Sequence, residues 1–218
     1  MVQFINIVKN FNEKVNNGEK DVELHNWLAL LTKFTDDVKP LPYKLTNSID
    51  THFAHYWKND RLGKIESNDI YLNTLPWSVW WKIMTNYLFK DIFYNFWSFF
   101  MTFDYWESKY LYKISFGFKP RKFEKNEVIF NEGDDVQEIY FIMNGLVKIG
   151  FTHPKEGFVA EKDFHKNSYI GAYNMLSGLK SEFKYVAAEK TVAFSLEKNF
   201  FFETMEKFPE ILGRMKSN

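Results

Sequence analysis

The spacing of apolar side chains divides the chain into two parts with different periods. Between residues 79 and 103 the apolar side chains recur every three or four residues, as on an amphipathic helix or two consecutive helices. Segments 24–34 and 45–57 repeat this spacing, with Pro40 and Pro42 between them. Pro76 stands where a proline fits the first turn of a further helix. Residues 1–112 are therefore predicted to form several helices with short connections.

After Phe118 the period changes to two, which is typical of β-strands. Asn144-Gly145 stands between two apolar runs and predicts a β-hairpin, because both residue types tolerate positive φ. Further strands are predicted at 158–164, 183–188 and 192–196, and helices at 199–207 and 210–216. The predicted fold class is α+β, with a helical region at 1–112 followed by an antiparallel β-roll domain with flanking helices at 113–218.

Composition excludes several classes of protein. The 28 Lys and Arg balance the 28 Asp and Glu, so no general field draws the chain to nucleic acid. The absence of cysteine excludes disulfides, thiol catalysis and cysteine–zinc sites. The start of the chain lacks a signal-peptide pattern, and Lys90 and Asp91 interrupt the most apolar stretch, so no transmembrane segment is predicted. We expect an intracellular location.

The sequence contains no recognisable catalytic or metal-binding motif. His52 and His55 are three residues apart on a predicted helix, but no third ligand is near them in the sequence, so we interpret both as ordinary helix residues. Glu132 and Asp134-Asp135 occupy predicted turns rather than forming a catalytic carboxylate pair. Neither a glycine-rich phosphate loop nor a nucleophile motif is present. We predict no enzymatic activity and no metal site.

Two glycine-bearing turns carry a resemblance to a known protein family. The run 130–134, Phe-Asn-Glu-Gly-Asp, followed by the strand and turn at 139–147, resembles the signature of cyclic-nucleotide-binding domains. Tyr169-Ile170-Gly171 resembles the start of that family's phosphate-binding cassette, and 208–211 resembles the close of its first C-terminal helix. The resemblance covers about 119–212 and implies a β-roll.

The helical part resembles the C-linker that precedes this domain in cyclic-nucleotide-gated and voltage-gated cation channels. Segments 41–45, 56–61 and 72–76 carry the resemblance, and the Lys-Asn-Asp-Arg ending at 58–61 is similar to ciliate members. The resemblance covers roughly 24–112 and implies a cytosolic regulatory region whose helices pack against neighbouring subunits in a ring of four. It leaves open whether the chain is a piece of a channel attached to a membrane or a stand-alone descendant.

Tryptophans stand where such C-linkers often carry polar residues. We interpret Trp77, Trp80, Trp81 and Trp97 as a docking face for protein partners or for self-association. The alternative is that the aromatic residues, 20% of the chain, only fill a core. If the docking interpretation holds, at least two of these tryptophans are exposed in the isolated chain.

In binding-competent relatives, a glutamate after the cassette glycine binds the ribose and an arginine ten positions after the glycine pairs with the phosphate. Aligned without a gap, the resemblance places these functions at Gly171, Ala172 and Ser181. Ala172 cannot accept a hydrogen bond, and Ser181 cannot neutralise a phosphate. We therefore predict a vestigial pocket without a cofactor.

Neighbouring residues add to this prediction and supply one alternative. Glu182 places a negative charge near the phosphate position. Tyr173 and Met175 are bulky for a cassette lining and are expected to fill the cavity. Alternatively, Lys180 or Lys184 replaces the missing arginine, and the chain remains a genuine sensor of cyclic AMP or cyclic GMP.

Three functions follow from these observations. The first is a non-catalytic regulatory and assembly module like the cytosolic part of a cation channel, unable to bind cyclic nucleotide. The second is a stand-alone structural subunit of a larger complex, derived from such a domain. The third is the sensor.

Overall fold

The computed structural model describes residues 22–33, 41–63, 65, 70–100 and 108–217. Contacts divide the chain into two compact units, Met1–Lys58 and Asn59–Asn218. In the first unit, helix α1 spans residues 22–33 and helix α2 spans Tyr43–Asn59. Leu24 and Leu28 are buried on one face of α1. Pro40 and residues 101–103, on which parts of the predicted pattern fall, lie outside the described residues.

Short helices open the second unit. They are α3 (Ile70–Thr74), α4 (Trp77–Ile83), a π-helix (Met84–Leu88), α5 (Lys90–Asn95), α6 (Trp97–Phe100) and α7 (Ser108–Ser115). The backbone leaves the helical conformation at Phe89 (φ −119°) and Phe96 (φ −114°), so the stripe that predicted one or two helices runs through several. Within the described residues, no helix is both long and apolar enough to cross a bilayer.

The π-helix changes which side chains of the stripe are buried. The Phe89 N–H donates to the Met84 carbonyl, 2.9 Å away and five residues back, which is the π-helical spacing. Met84 and Ile92 remain fully buried, as the stripe predicts. Tyr87 is 79% exposed, so its predicted place in the apolar stripe is wrong. The wider turn shifts the register of this segment and turns Tyr87 outward.

Eight strands and three helices complete the second unit. They are β1 (Phe118–Phe123), β2 (Val128–Phe130), β3 (Glu138–Asn144), β4 (Val147–His153), β5 (Gly157–Phe164), β6 (Tyr169–Ile170), α8 (Ala172–Ser177), β7 (Lys184–Ala187), β8 (Thr191–Glu197), α9 (Lys198–Met205) and α10 (Pro209–Ser217). The predicted later strands and helices are confirmed. All strand pairs are antiparallel, in two four-stranded sheets with orders β1-β8-β3-β6 and β2-β7-β4-β5. The predicted α+β class and β-roll are confirmed.

The predicted hairpin at Asn144-Gly145 is wrong, although the turn exists. β3 and β4 belong to different sheets, so this turn carries the chain from one sheet to the other. Gly145 has φ +107°, and a Cβ there would lie 2.5 Å from Thr191 Oγ1 and 2.6 Å from Thr191 Cα. The glycine is therefore needed for a close crossing next to β8. The hairpin of this region joins β4 to β5 instead, in register from Val147↔Phe164 to His153↔Gly157.

Phenylalanine rings join the short helices to the outer face of the first sheet. The Phe100 ring stacks on Phe141 of β3 with centroids 5.4 Å apart, and Phe96 meets the same ring edge-on at 5.1 Å. Phe118 of β1 lies 5.8 Å from Phe141. A core thus accounts for many of the aromatic residues. Residues 59–112 lie in the same compact unit as the β-roll. The domain boundary at 112/113, which follows from the change of period in the sequence, stays a prediction.

Candidate nucleotide site

The cassette begins with a glycine that no other residue type fits easily. Gly171 follows β6 and has φ +83°, in the left-handed region. A Cβ at this position would lie 2.8 Å from the Glu138 carbonyl oxygen. The glycine thus lets the chain turn close against β3 before α8 begins. Helix α8 ends at Gly178, which also has positive φ (+73°).

The two positions to which the resemblance assigns the ribose and phosphate contacts are both buried. Ala172 is 6% exposed and Ser181 is 2% exposed. The Ser181 hydroxyl donates a hydrogen bond to the Phe183 carbonyl at 2.7 Å, so it is used within its own loop. Ala172 has no acceptor for a ribose hydroxyl, and Ser181 has no cation for a phosphate.

The structure brings Ser181 against the glycine-bearing turn that carried the family resemblance. The Gly133 N–H donates to the Ser181 carbonyl at 2.7 Å, and the Ser181 N–H donates to the Asp134 carbonyl at 2.8 Å. Asp134 also accepts from the Asn131 N–H at 2.7 Å through its carboxylate, while Glu132 accepts from the Thr152 N–H at 2.6 Å. Asp134 and Glu132 therefore act as turn residues, as the sequence predicts.

The residues around Ser181 separate into exposed and buried ones. The side chains of Lys180 and Glu182 are exposed, and the Lys180 carbonyl accepts a 2.9 Å hydrogen bond from the Asn174 side chain. Met175 is fully buried, as expected for a side chain that fills space. Tyr173 is 72% exposed, so the expectation that it fills the cavity is wrong. It lies on the side of α8 that faces away from the core.

A charged network inside the roll was not predicted. β3 directs Glu138 and Tyr140 towards the second sheet, because Ile139 and Phe141 face the helices. Glu138 pairs with Arg121 of β1 and accepts hydrogen bonds from the Tyr140 hydroxyl at 2.7 Å and the Ser195 hydroxyl at 3.2 Å.

The network lowers the pKa of Glu138 and raises the pKa of Tyr140. Burial alone would raise the pKa of Glu138, but the hydrogen bonds from Arg121, Tyr140 and Ser195 outweigh it and hold that pKa below its usual value. Burial, together with the Glu138 charge, raises the pKa of Tyr140 well above its usual value. Side chains alternate between the two faces of β1 and of β3. This alternation could have located the network, once the two strands are known to flank β8.

The four tryptophans do not share one environment. Trp80 is 5% exposed and belongs to the core, whereas Trp97 is 59% exposed. Trp77 and Trp81 are half-buried, and the Trp77 ring meets Tyr112 edge-on with centroids 4.6 Å apart. Trp97 is thus the one of the four that is exposed, so the prediction that at least two of them are exposed is wrong.

Among the described residues, no group of three or more His, Asp or Glu side chains has a metal-binding arrangement. His52 is exposed and His55 is half-buried on α2. The absence of a metal site and of enzymatic activity stays a prediction.

Comparisons with known proteins agree on the β-roll. Residues 120–208 match the model of the cyclic nucleotide-binding domain family. The Global nitrogen regulator of a Nostoc species is 32% identical over 69 residues, which are 32% of this chain and 31% of that regulator. The match thus spans less than a third of the relative. Residues 120–208 form a cyclic nucleotide-binding domain.

Solved structures of similar proteins include two with related folds at low identity. The regulatory subunit of a cAMP-independent protein kinase A from Trypanosoma brucei has 17% identity and a TM-score of 0.48, over 60% of this chain and 46% of that one. A cyclic nucleotide-binding domain from Methylobacillus flagellatus has 15% identity and a TM-score of 0.47, over 57% and 72%. These similarities carry no conclusion about ligand or partner.

Proposed function

We propose that this chain is an intracellular, non-catalytic regulatory and assembly module whose cyclic nucleotide-binding domain no longer binds cyclic nucleotide. The observation that carries the proposal is the burial of Ala172 and Ser181 at the two ligand-binding positions of the cassette. A phosphate placed there would lose water without gaining the cation it needs, at a cost of several kcal/mol. The domain would then act through protein contacts alone.

Titration calorimetry of the full chain with cyclic AMP and with cyclic GMP tests the loss of binding. We expect no heat of binding below millimolar nucleotide, which corresponds to a binding free energy weaker than about −4 kcal/mol. Thermal stabilisation by micromolar nucleotide would refute the proposal, since a ligand that binds only the folded state raises its stability. Calorimetry on Lys180→Gln and Lys184→Gln then decides whether either lysine replaces the arginine.

The distribution of exposed apolar side chains supports a docking role for the helical part. Of the 17 large apolar side chains exposed in the described residues, 12 lie before residue 100. Exposed apolar side chains mark an interaction site where they adjoin one another in one patch. In the proposed function, these helices contact other subunits while the β-roll supports them.

We further propose that the chain descends from a cation channel of the ciliate-like type. The C-linker resemblance of residues 24–112 supports this origin. The alternative is a stand-alone subunit of a larger complex. The sequence of the complete transcript separates them, because hydrophobic spans upstream of this chain favour the channel, whereas a free-standing reading frame favours the subunit.

A further inference from the structure

A groove of about 410 Å³ lies between α7 and α9, and none of its lining residues belongs to the cassette. One of its walls comes from α7 through Tyr112, Lys113 and Phe116. The other comes from Phe200, Glu203, Thr204 and Lys207, whose three- and four-residue spacing places them on one face of α9 and the turn after it. A volume of this size is within the range of small-molecule sites.

The apolar lining of the groove is fixed in place by close packing. Tyr112 and Phe116 meet edge-on with ring centroids 5.2 Å apart. The Phe200 ring lies directly against the backbone at Gly117, where a Cβ would be 2.3 Å from Phe200 Cδ1. Aromatic rings held in this way form a preformed surface for an apolar group.

Positive charge is concentrated beside these rings. Burial lowers the pKa of Lys113, and the neighbouring charges of Lys207 and Lys109 lower it further. Among the described residues, no ion pair engages Lys113 or Lys207. Glu203 lines the groove as well; its side chain and that of Lys207 are exposed, whereas Lys113 is half-buried. An anion between the two lysines would relieve their mutual repulsion.

We propose that the groove between α7 and α9 binds a small anion with an apolar body, such as a carboxylate attached to an aromatic ring or to an alkyl chain. The rings of Tyr112, Phe116 and Phe200 would take the apolar body. Lys113 and Lys207 would take the charge. This site is independent of the cassette, so it does not rest on the proposed function.

Calorimetry of the full chain with 2-naphthoate and with decanoate tests the site. We expect at least one of the two carboxylates to bind, with the neutral 2-naphthalenemethanol and inorganic phosphate at least tenfold weaker. The preferred carboxylate distinguishes an aromatic from an alkyl ligand. Equal binding of the neutral alcohol, or no binding of either carboxylate, would overturn the proposal.

Charge variants locate the binding. Lys113→Gln with Lys207→Gln should weaken carboxylate binding at least tenfold, whereas Glu203→Gln should strengthen it, because it removes the opposing charge. Lys155→Gln, in the exposed turn between β4 and β5, is the matched control and should change nothing. Undiminished binding in the double variant would overturn the site. If the double variant binds cyclic AMP, that binding belongs to the cassette. This result would contradict the proposed function but not the groove site.

Discussion

Glu138 accepts hydrogen bonds from three side chains at one end of the space between the two sheets. Its partners Arg121, Tyr140 and Ser195 come from β1, β3 and β8, which are neighbours in the first sheet. The carboxylate is 17% exposed, so its charge is only partly solvated. Interactions of this kind contribute more to stability than surface ion pairs, because loss of one partner leaves polar groups of the others unsatisfied.

We expect Glu138→Gln to lower the free energy of unfolding by about 2 kcal/mol, since one amide cannot replace a carboxylate that accepts three donors. Because the pKa of Glu138 is lower in the folded chain than its usual 4.5, its contribution is present above that value and is lost as pH falls through the folded value. Urea unfolding of wild type and variant between neutral pH and pH ~3 measures both effects. Glu156→Gln, in an exposed turn, is the control, and an equal acid sensitivity of Glu138→Gln and wild type would contradict the prediction.

The sequence predicted the local chemistry of single residues better than their partners. The turn glycines were predictable, because each depends on residue type at a known position in a motif. The loss of ligand contacts at Ala172 and Ser181 stays a prediction. The network around Glu138 was not predictable, because Arg121 and Glu138 meet only through the order β1-β8-β3. That order depends on long-range pairing, which periodicity does not encode. The exposure of Tyr173 and Tyr87 was not predictable either, because it depends on which way each residue faces on its helix.

At the scale of elements, two connections fix how the parts of the second unit meet. The crossing at Gly145 carries the chain between sheets. The segment after α2 is anchored by Arg61, which pairs with Asp91, donates to the Leu88 carbonyl at 2.6 Å and lies 4.5 Å from the centre of the Phe194 ring. Elements were predicted well, but such connections were not, because they join residues far apart in sequence.

Gly145→Ala should destabilise the chain by roughly 2–3 kcal/mol, because both the positive φ and the contact with Thr191 oppose a Cβ. Gly133→Ala is the matched control, since Gly133 also has positive φ (+86°) but open space around a Cβ. It should lose only about 1 kcal/mol. Urea unfolding compares the two, and equal losses would show that the crossing is not tightly packed.

Arg61→Lys should lower the free energy of unfolding by about 1–2 kcal/mol, because an ammonium cannot make the same paired contacts with Asp91. The double variant Arg61→Ala, Asp91→Asn should lose less than the sum of its single variants, since the residues contact each other. Lys90→Ala, at an exposed neighbouring position, serves as the control. Strict additivity in the cycle would contradict a direct interaction.

At the scale of the whole molecule, the aromatic residues lie in two different environments. Phenylalanine rings fill the core between the helices and the first sheet, whereas Tyr94 and Trp97 remain exposed at 76% and 59%. The sequence left open whether the aromatic residues fill a core or form a docking face. The core interpretation holds for the buried rings, and docking through the exposed ones stays a proposal.

Trp97→Ala should leave stability within about 0.5 kcal/mol of wild type, whereas Trp80→Ala should lose roughly 3–5 kcal/mol because it opens a cavity. If the helical part is a docking face, Trp97→Ala should also reduce self-association in sedimentation velocity, since exposed tryptophans often carry a large share of binding energy. Identical sedimentation of wild type and Trp97→Ala as monomers would leave self-association through Trp97 without support.

The pairing of β1 with β8 has a consequence for how the chain reaches its native state. Lys119 and Glu197 form a 3.0 Å ion pair across these strands although 78 residues separate them. A large loop must therefore close before the first sheet gains its central strand, and such non-local pairing slows folding to milliseconds or seconds. On the ribosome, β1 and β3 emerge before β8 and have unpaired edges until it arrives. During that interval, the nascent chain is most exposed to aggregation.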